Sequence, residues 1–391
     1  MFQKFAIFID LSDKNGFEFY KKTIFYFLKK IPSLIILDIS KICTRKNIKF
    51  NNIKNLFQPN NIWQLKKFLS DKNLIIMYCL NFDLKYFFIH FVVSLSGVKK
   101  FIISNIGYNP ENFNYFKKNF IQKIKIFFIF KFKYYLFRIL IFINIFPKID
   151  YFFESSKYII NSINNGLSKK INNLIPFINF SFYKKVIQIN SKFFSPNIKK
   201  IKSEKYIVFI DGMILDHKDV IYRQGTTPYN IRQKYYEYIN TLLFNLKKNY
   251  KKKIIICLHP KNFISTKKKD FKNFKCVKFQ TEKYITNAFL VLFHEGSSIV
   301  QAILLKKKII SLQGAVLGDY INQRCKLYSD ALGLKVIKLD DVKNKSKINI
   351  SIKQLQRIAK YKYNKYINDN LVQDQSLTGL DQVISYIKQI K

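Results

Sequence analysis

The stretch "LVLFHEGSSIVQAILLKKKIISL", residues 290–312, holds the whole fold in miniature. Leu290-Val291-Leu292-Phe293 is an unbroken apolar run, and it stops at a polar turn that contains a glycine and two serines. A run of four apolar residues bounded by turn signals reads as a buried strand. Ile299 to Leu305 then reads as a helix, and Ile309 to Leu312 as another buried strand. Strand, helix and strand in so short a span form a βαβ unit, which fixes parallel pairing of the two strands.

The same unit recurs in both directions. Strands are expected at Tyr206–Ile210, Ile254–Leu258, Cys276–Phe279 and Val336–Leu339. Pro228 opens a helix in which Ile231, Tyr235, Tyr238, Ile239, Leu242, Leu243 and Leu246 keep three-and-four spacing, with Thr227 as its expected N-cap. In the first half, strands fall at Phe5–Ile9, Leu34–Leu37, Leu74–Tyr78 and Phe101–Ile103. Helices fall at Phe17–Lys30 and Leu84–Leu95. Between the halves lies "SKFFSPNIKKIKSEK", residues 191–205, a polar segment with a proline that suits a linker. The expected architecture is therefore α/β, with two Rossmann-like domains over residues 1–195 and 205–391. Each has its own parallel sheet, and the last helix is free to pack back on the first domain.

With 48% hydrophobic and 17% aromatic residues, the chain has ample apolar surface for two cores, which excludes general disorder. The formal charge of +45 raises a nucleic-acid reading, but of 69 basic residues only six are arginine, the residue that reads bases and phosphates bidentately. An excess of Lys, Asn, Ile, Phe and Tyr is also what A/T-rich codons would give. Five cysteines are scattered; Cys79 and Cys257, inside apolar runs, read as buried thiols, and the compartment is expected to be reducing. No secretory signal is expected in MFQKFAIFIDLSD. The lipid-like stretch 124–146 is interrupted by Lys125, Lys131, Lys133 and Arg138, well short of the roughly 18 to 20 apolar residues of a spanning helix. Residues 113–146 instead suit a basic aromatic helix, either lying on an anionic membrane surface or buried between domains.

In open parallel sheets, ligands bind beyond the carboxyl ends of the strands. Three such ends carry chemistry: Asp211-Gly212, followed by Asp216 and His217; His259-Pro260-Lys261; and Glu295-Gly296-Ser297-Ser298. Gly296, Ser297 and Ser298 would offer backbone N–H groups and two hydroxyls to a phosphate. A plainer reading makes Ser297 a helix cap and His259 a strand-end side chain bonded to nearby backbone. No DxD motif, P-loop or GxGxxG is present.

Taken together, "FIDGMILDHKD", "YYEYINTLLFNLKK", "IIICLHPKNF" and "LVLFHEGSSIVQAILLKKKIISL" resemble the nucleotide-binding half of glycosyltransferases of the GT-B architecture. Among these they are most similar to bacterial sialyltransferases and polysialyltransferase-like enzymes of surface carbohydrate. The resemblance spans about residues 205–312 and implies two domains with a cleft between them. It implies that His259 contacts the donor phosphate and acts as general acid, for which a pKa near 6 to 7 is suited. Ser297 and Ser298 would bind the phosphate, with Pro260, Lys261, Glu295 and Gly296 beside them.

The family's acidic-acidic-Gly motif would supply the base. Ile210 stands where its first acid is expected, leaving Asp211, Asp216 and Asp10 as candidates. The resemblance further implies inverting transfer, without a metal or cofactor, of a nonulosonic acid such as sialic acid from a CMP donor. The acceptor would be a glycan or a lipid-linked glycan at the cytoplasmic face of the inner membrane. CMP-Kdo or UDP-sugar transfer, or epimerisation of a sugar nucleotide, are alternatives within this fold. A basic nucleic-acid-binding protein is the alternative from another class. That last reading requires a gel-mobility shift that weakens steeply between about 50 and 200 mM salt; the enzyme reading expects no specific shift.

Overall fold

The computed structural model describes residues 4–44, 55–81, 83–104, 133–165, 182–196, 204–217, 220–221, 224–272, 274–342 and 360–390. These form two compact units. One contains the described residues up to 192 and those from 373 onward, and the other contains residues 193 to 372.

The first unit is built on seven parallel strands: β1 (Lys4–Ile9), β2 (Ile35–Asp38), β3 (Leu56–Phe57), β4 (Leu74–Tyr78), β5 (Lys99–Ser104), β6 (Ile149–Glu154) and β7 (Tyr183–Gln188). Their order is β3-β2-β1-β4-β5-β6-β7. Strand alternation divides the core cleanly. Phe5, Ile7 and Ile9 of β1 pack with Ile75 and Met77 of β4 on one face, against the helices Lys14–Lys30 and Gly379–Gln389. Ala6 and Phe8 join Ile76 and Tyr78 on the other, under the helices Ile62–Leu69 and Phe87–Leu95. Both faces are buried, so β4, and β1 beyond Lys4, are apolar runs that do not alternate with polar residues.

The second unit repeats the plan with six parallel strands: β8 (Tyr206–Asp211), β9 (Lys253–Leu258), β10 (Lys275–Val277), β11 (Ala288–Phe293), β12 (Lys308–Gln313) and β13 (Lys335–Lys338). The order is β10-β9-β8-β11-β12-β13. It runs outward from β8 in both directions, so the strand order reverses between β8 and β11. Ile207 and Phe209 face the helix Tyr229–Tyr250, while Val208 and Ile210 face the core that includes Tyr328 and Tyr366.

Three strands escaped the sequence reading for identifiable reasons. β6 carries Asp150 in its interior, a buried carboxylate that accepts from the Lys100 backbone N–H at 2.8 Å and pairs with Lys184 Nζ at 2.6 Å. β7 is a half-exposed edge strand of sequence YKKVIQ, and β3 is only two residues long. The N-cap of the Tyr229–Tyr250 helix is Pro228, not Thr227. Pro228 is in extended backbone and its carbonyl accepts the first helical bond from Arg232 N at 3.0 Å. Of the basic segment 113–146, residues up to 132 lie outside the described ones. Its remainder forms the helix Lys133–Phe142, whose Phe137 and Ile141 bury against Phe146. No described helix is long and apolar enough to cross a membrane.

The C-terminal segment is tied to the first unit by Asn190, which is wholly buried. Its Oδ1 accepts from the backbone N–H groups of Gln373 and Asp374, and its Nδ2 donates to the carbonyls of Asp374 and Leu377. Asn190→Ala strips partners from this buried segment and should cost about 3 kcal/mol, read as a lower midpoint in urea unfolding with the chain still folded in buffer.

Candidate active site at the carboxyl ends of β8, β9 and β11

The strand register brings the predicted groups to one line. Asp211 is level with Leu258 across the β8–β9 pair, and Ile210 is level with Phe293 across the β8–β11 pair. Asp211, His259 and His294 therefore leave three adjacent strands side by side. This is the reversal point of a doubly wound sheet, where adjoining loops diverge and leave a crevice.

Asp211 is buried and uses both carboxylate oxygens. Oδ1 accepts from Met213 N at 3.1 Å and Oδ2 from Asn262 Nδ2 at 2.7 Å. Burial pushes its pKa up to about 6, against the pull of Lys267 and of its hydrogen bonds. Asn262 is itself buried, and its N–H closes a turn by donating to the His259 carbonyl at 2.9 Å. Within that turn the Lys261 N–H donates to His259 Nδ1 at 3.3 Å, which leaves the imidazole proton on Nε2. The ring is half-buried and meets His217 edge-on, with centroids 5.4 Å apart. Burial, then His217, Lys261 and Lys278, lower the His259 pKa to about 4. That is below the near-neutral value expected from sequence, because burial and the neighbouring His217, Lys261 and Lys278 all disfavour the imidazolium. Pro260 and Lys261 are exposed at the tip of the turn.

Beyond β8, Gly212 meets the β11 loop so closely that a Cβ there would lie 2.7 Å from the Glu295 carbonyl oxygen. This close approach, rather than a positive φ, explains the glycine. Glu295 is turned away from the crevice chemistry: its Oε1 pairs with the buried Arg324 guanidinium at 2.9 Å. Gly296 has φ +141°, which disfavours a side chain. Ser298, not Ser297, is the N-cap of the short helix Ile299–Leu304, and it makes no side-chain cap bond. Ser297 is exposed and Ser298 half-buried. The two hydroxyls are therefore not consumed as caps.

Asp216 does not fit the role of a base. Its carboxylate is held by the Arg232 guanidinium and by Lys267 Nζ at 3.1 Å. Burial alone would raise its pKa, but these cations hold it below the usual carboxylate range. It fixes the loop after β8 to the helix Tyr229–Tyr250. Asp10 belongs to the other unit, where it is buried and accepts from Ser12 and from Tyr86 OH at 2.8 Å.

His294 is fully buried, bonded through Nδ1 to the Leu312 carbonyl and through Nε2 to Tyr235 OH, both at 3.1 Å. Burial lowers its pKa to about 4. Sequence reasoning singled out His217 but missed Asn262 and Arg324. The first was legible in principle, as an amide two residues beyond a strand-end proline; Arg324 comes from a distant helix and left no local signal. Among the described residues, no group of three or more His, Cys, Asp or Glu is placed to hold a metal ion.

No family model matches the chain, and no curated protein matches its sequence. Solved structures match it in shape. A single-residue variant of the wall teichoic acid polymerase TagF is 11% identical over 98% of this chain and 88% of its own, with a TM-score of 0.51. The calicheamicin glycosyltransferase CalG4 is 8% identical over the full length of both chains, with a TM-score of 0.45. The UDP-GlcNAc 2-epimerase of Methanocaldococcus jannaschii is 12% identical over 99% of each chain, with a TM-score of 0.46. The TagF likeness is one of fold: two parallel α/β sheets of the GT-B class.

The raised pKa of Asp211 has a defined pH signature. Stability contributed by a carboxyl with a raised folded pKa is present below its unfolded value, about 4, and is lost as pH rises through the folded value. Asp211→Asn removes this titration. Its Tm relative to wild type should therefore improve between about pH 5 and pH 7, and a Tm difference that stays constant over that range would contradict a folded pKa of about 6.

Proposed function

We propose that this chain is a glycosyltransferase of the GT-B fold that binds a nucleotide-sugar donor at the carboxyl ends of β8, β9 and β11. The observation that carries this reading is the convergence of His259, Gly212 and the Gly296–Ser298 turn on the reversal point of a doubly wound sheet. A departing nucleotide phosphate needs hydrogen-bond donors and a proton. Here the Ser297 and Ser298 hydroxyls and His259 Nε2–H stand ready to supply them.

His259 is neutral in the free protein. An anionic phosphate beside Nε2 favours the imidazolium and raises its pKa, so the donor itself recruits the proton that leaves with the nucleotide. Asp211 then acts as a positioning residue: through Asn262 it fixes the turn that aims His259. In this reading the reaction inverts the anomeric centre and needs no metal or cofactor. The donor is a CMP-linked nonulosonic acid such as sialic acid, on the strength of the His-Pro and Ser-Ser motifs. The acceptor is a bacterial surface glycan or its lipid-linked precursor.

Incubation of the pure protein with a panel of CMP- and UDP-sugars in EDTA tests the donor. Release of CMP is expected; release of UDP alone would reassign the chain to a UDP-sugar transferase, and interconversion of a UDP-sugar without release would make it an epimerase. His259→Ala should keep the Tm and cut turnover by roughly 10² to 10⁴. Ser298→Ala should weaken donor binding and turnover together, since its hydroxyl would contact the phosphate in both ground and transition states. A folded His259→Ala protein of full activity would end the general-acid assignment.

A further inference from the structure

We propose that the outer surface of the helices Ile62–Leu69, Phe87–Leu95 and Lys133–Phe142, in the first unit, is a docking face for an anionic lipid bilayer. This goes beyond the proposed reaction and does not depend on it.

The helix Phe87–Leu95 buries Ile89, His90, Val92 and Val93 against the sheet. On its opposite side Phe88, Phe91 and Leu95 recur at intervals of three and four, which is one helical stripe, and Leu84 lies just before it in the 3-10 turn Leu84–Tyr86. All four are exposed, Phe88 by 69% and Leu95 by 62%. A helix on the surface of a globular protein carries charged or polar residues on this face. Here Lys85 is the only charged residue between 84 and 95.

The stripe is widened from both sides. Ser94 Oγ donates to the Asn144 carbonyl, which holds the end of the Lys133–Phe142 helix alongside, and Phe142 and Ile143 are exposed there. On the other flank the helix Ile62–Leu69 packs against Phe87–Leu95 on the same face of the sheet. It carries Trp63, 75% exposed, with Lys66 Nζ 5.6 Å from its ring centroid. Exposed apolar surface of this extent marks an interaction site.

Charge selects the occupant. The three helices contain no Asp or Glu, whereas Lys66, Lys67 and Lys85 are exposed around the aromatic residues. A second copy of this chain, also of formal charge +45, would bring like charge to like charge. An anionic bilayer offers the complement: headgroups for the lysines and an acyl boundary for the apolar stripe. The exposed side chains are Phe, Leu, Ile and Trp, which provide insertion rather than the hydrogen bonding that would specify a peptide.

The full-length protein would be sedimented with vesicles of phosphatidylcholine alone and of phosphatidylcholine with one third phosphatidylglycerol, while the emission of Trp63, the chain's single tryptophan, is recorded. Wild type should pellet with the anionic vesicles and shift Trp63 emission to the blue. The double variant Phe88→Ser, Leu95→Ser alters exposed positions and charge not at all, so it should keep the Tm and partition at least about tenfold less. The proposal is overturned by a wild type that stays in the supernatant at low salt. Equal partitioning of the double variant would also overturn it, because lysine charge alone would then explain adsorption. So would a dimer, seen by light scattering without lipid, that the double variant abolishes.

Discussion

The hydrogen bond from Asn262 Nδ2 to Asp211 Oδ2 holds the site together. It joins the end of β8 to the turn after β9, two segments far apart in sequence but adjacent in the sheet. On the Asn262 side the backbone closes onto the His259 carbonyl, and within that turn the Lys261 N–H orients the imidazole. On the Asp211 side the other oxygen holds Met213, which has positive φ, at the start of the next loop. The direction in which His259 presents Nε2 thus follows from a buried amide–carboxyl pair that need not touch any ligand.

The same device recurs at the ends of β1, β2 and β6 in the first sheet. A parallel ladder ends abruptly, and the first N–H groups beyond it lose their partners while still buried. Asp38 accepts from Leu11 N and Ser40 N, Glu154 from Ser155 N and Ser156 N, and Asp10 from Ser12 N. Desolvation opposes the charged form in such places. Burial raises Glu154 to about 7 and Asp211 to about 6, although hydrogen bonds pull both back down.

Burial acts on the histidines in the opposite sense. His90 and His294 are each sealed in a core beside a tyrosine hydroxyl, Tyr78 and Tyr235, and burial holds both near pKa 4. They are neutral hydrogen-bonding parts of the two cores. His259 has a similarly lowered pKa from a different setting, half-exposed at a strand end and crowded by His217 and two lysines. An anion can reach it and reverse the effect of those cations, whereas nothing from solvent reaches His294.

By itself, the sequence determined the class of fold. Apolar runs such as Leu290–Phe293 and Ile254–Leu258, alternating with helices of three-and-four spacing, are local patterns that need no knowledge of distant residues. It also located the strand ends where polar chemistry gathers, because Asp-Gly, His-Pro and Gly-Ser-Ser interrupt those runs. Only the tertiary structure decided which of these polar groups are already engaged. Asp216 meets Arg232 and Lys267, Glu295 meets Arg324, and Asp211 meets Asn262, all through pairings that chain proximity does not specify. It alone placed β6 in the sheet despite Asp150, whose burial is compensated by Lys100 and Lys184 on the neighbouring strands. Backbone periodicity is set by each residue's near neighbours, whereas the state of a buried charge is set by whichever distant side chain the fold brings to it.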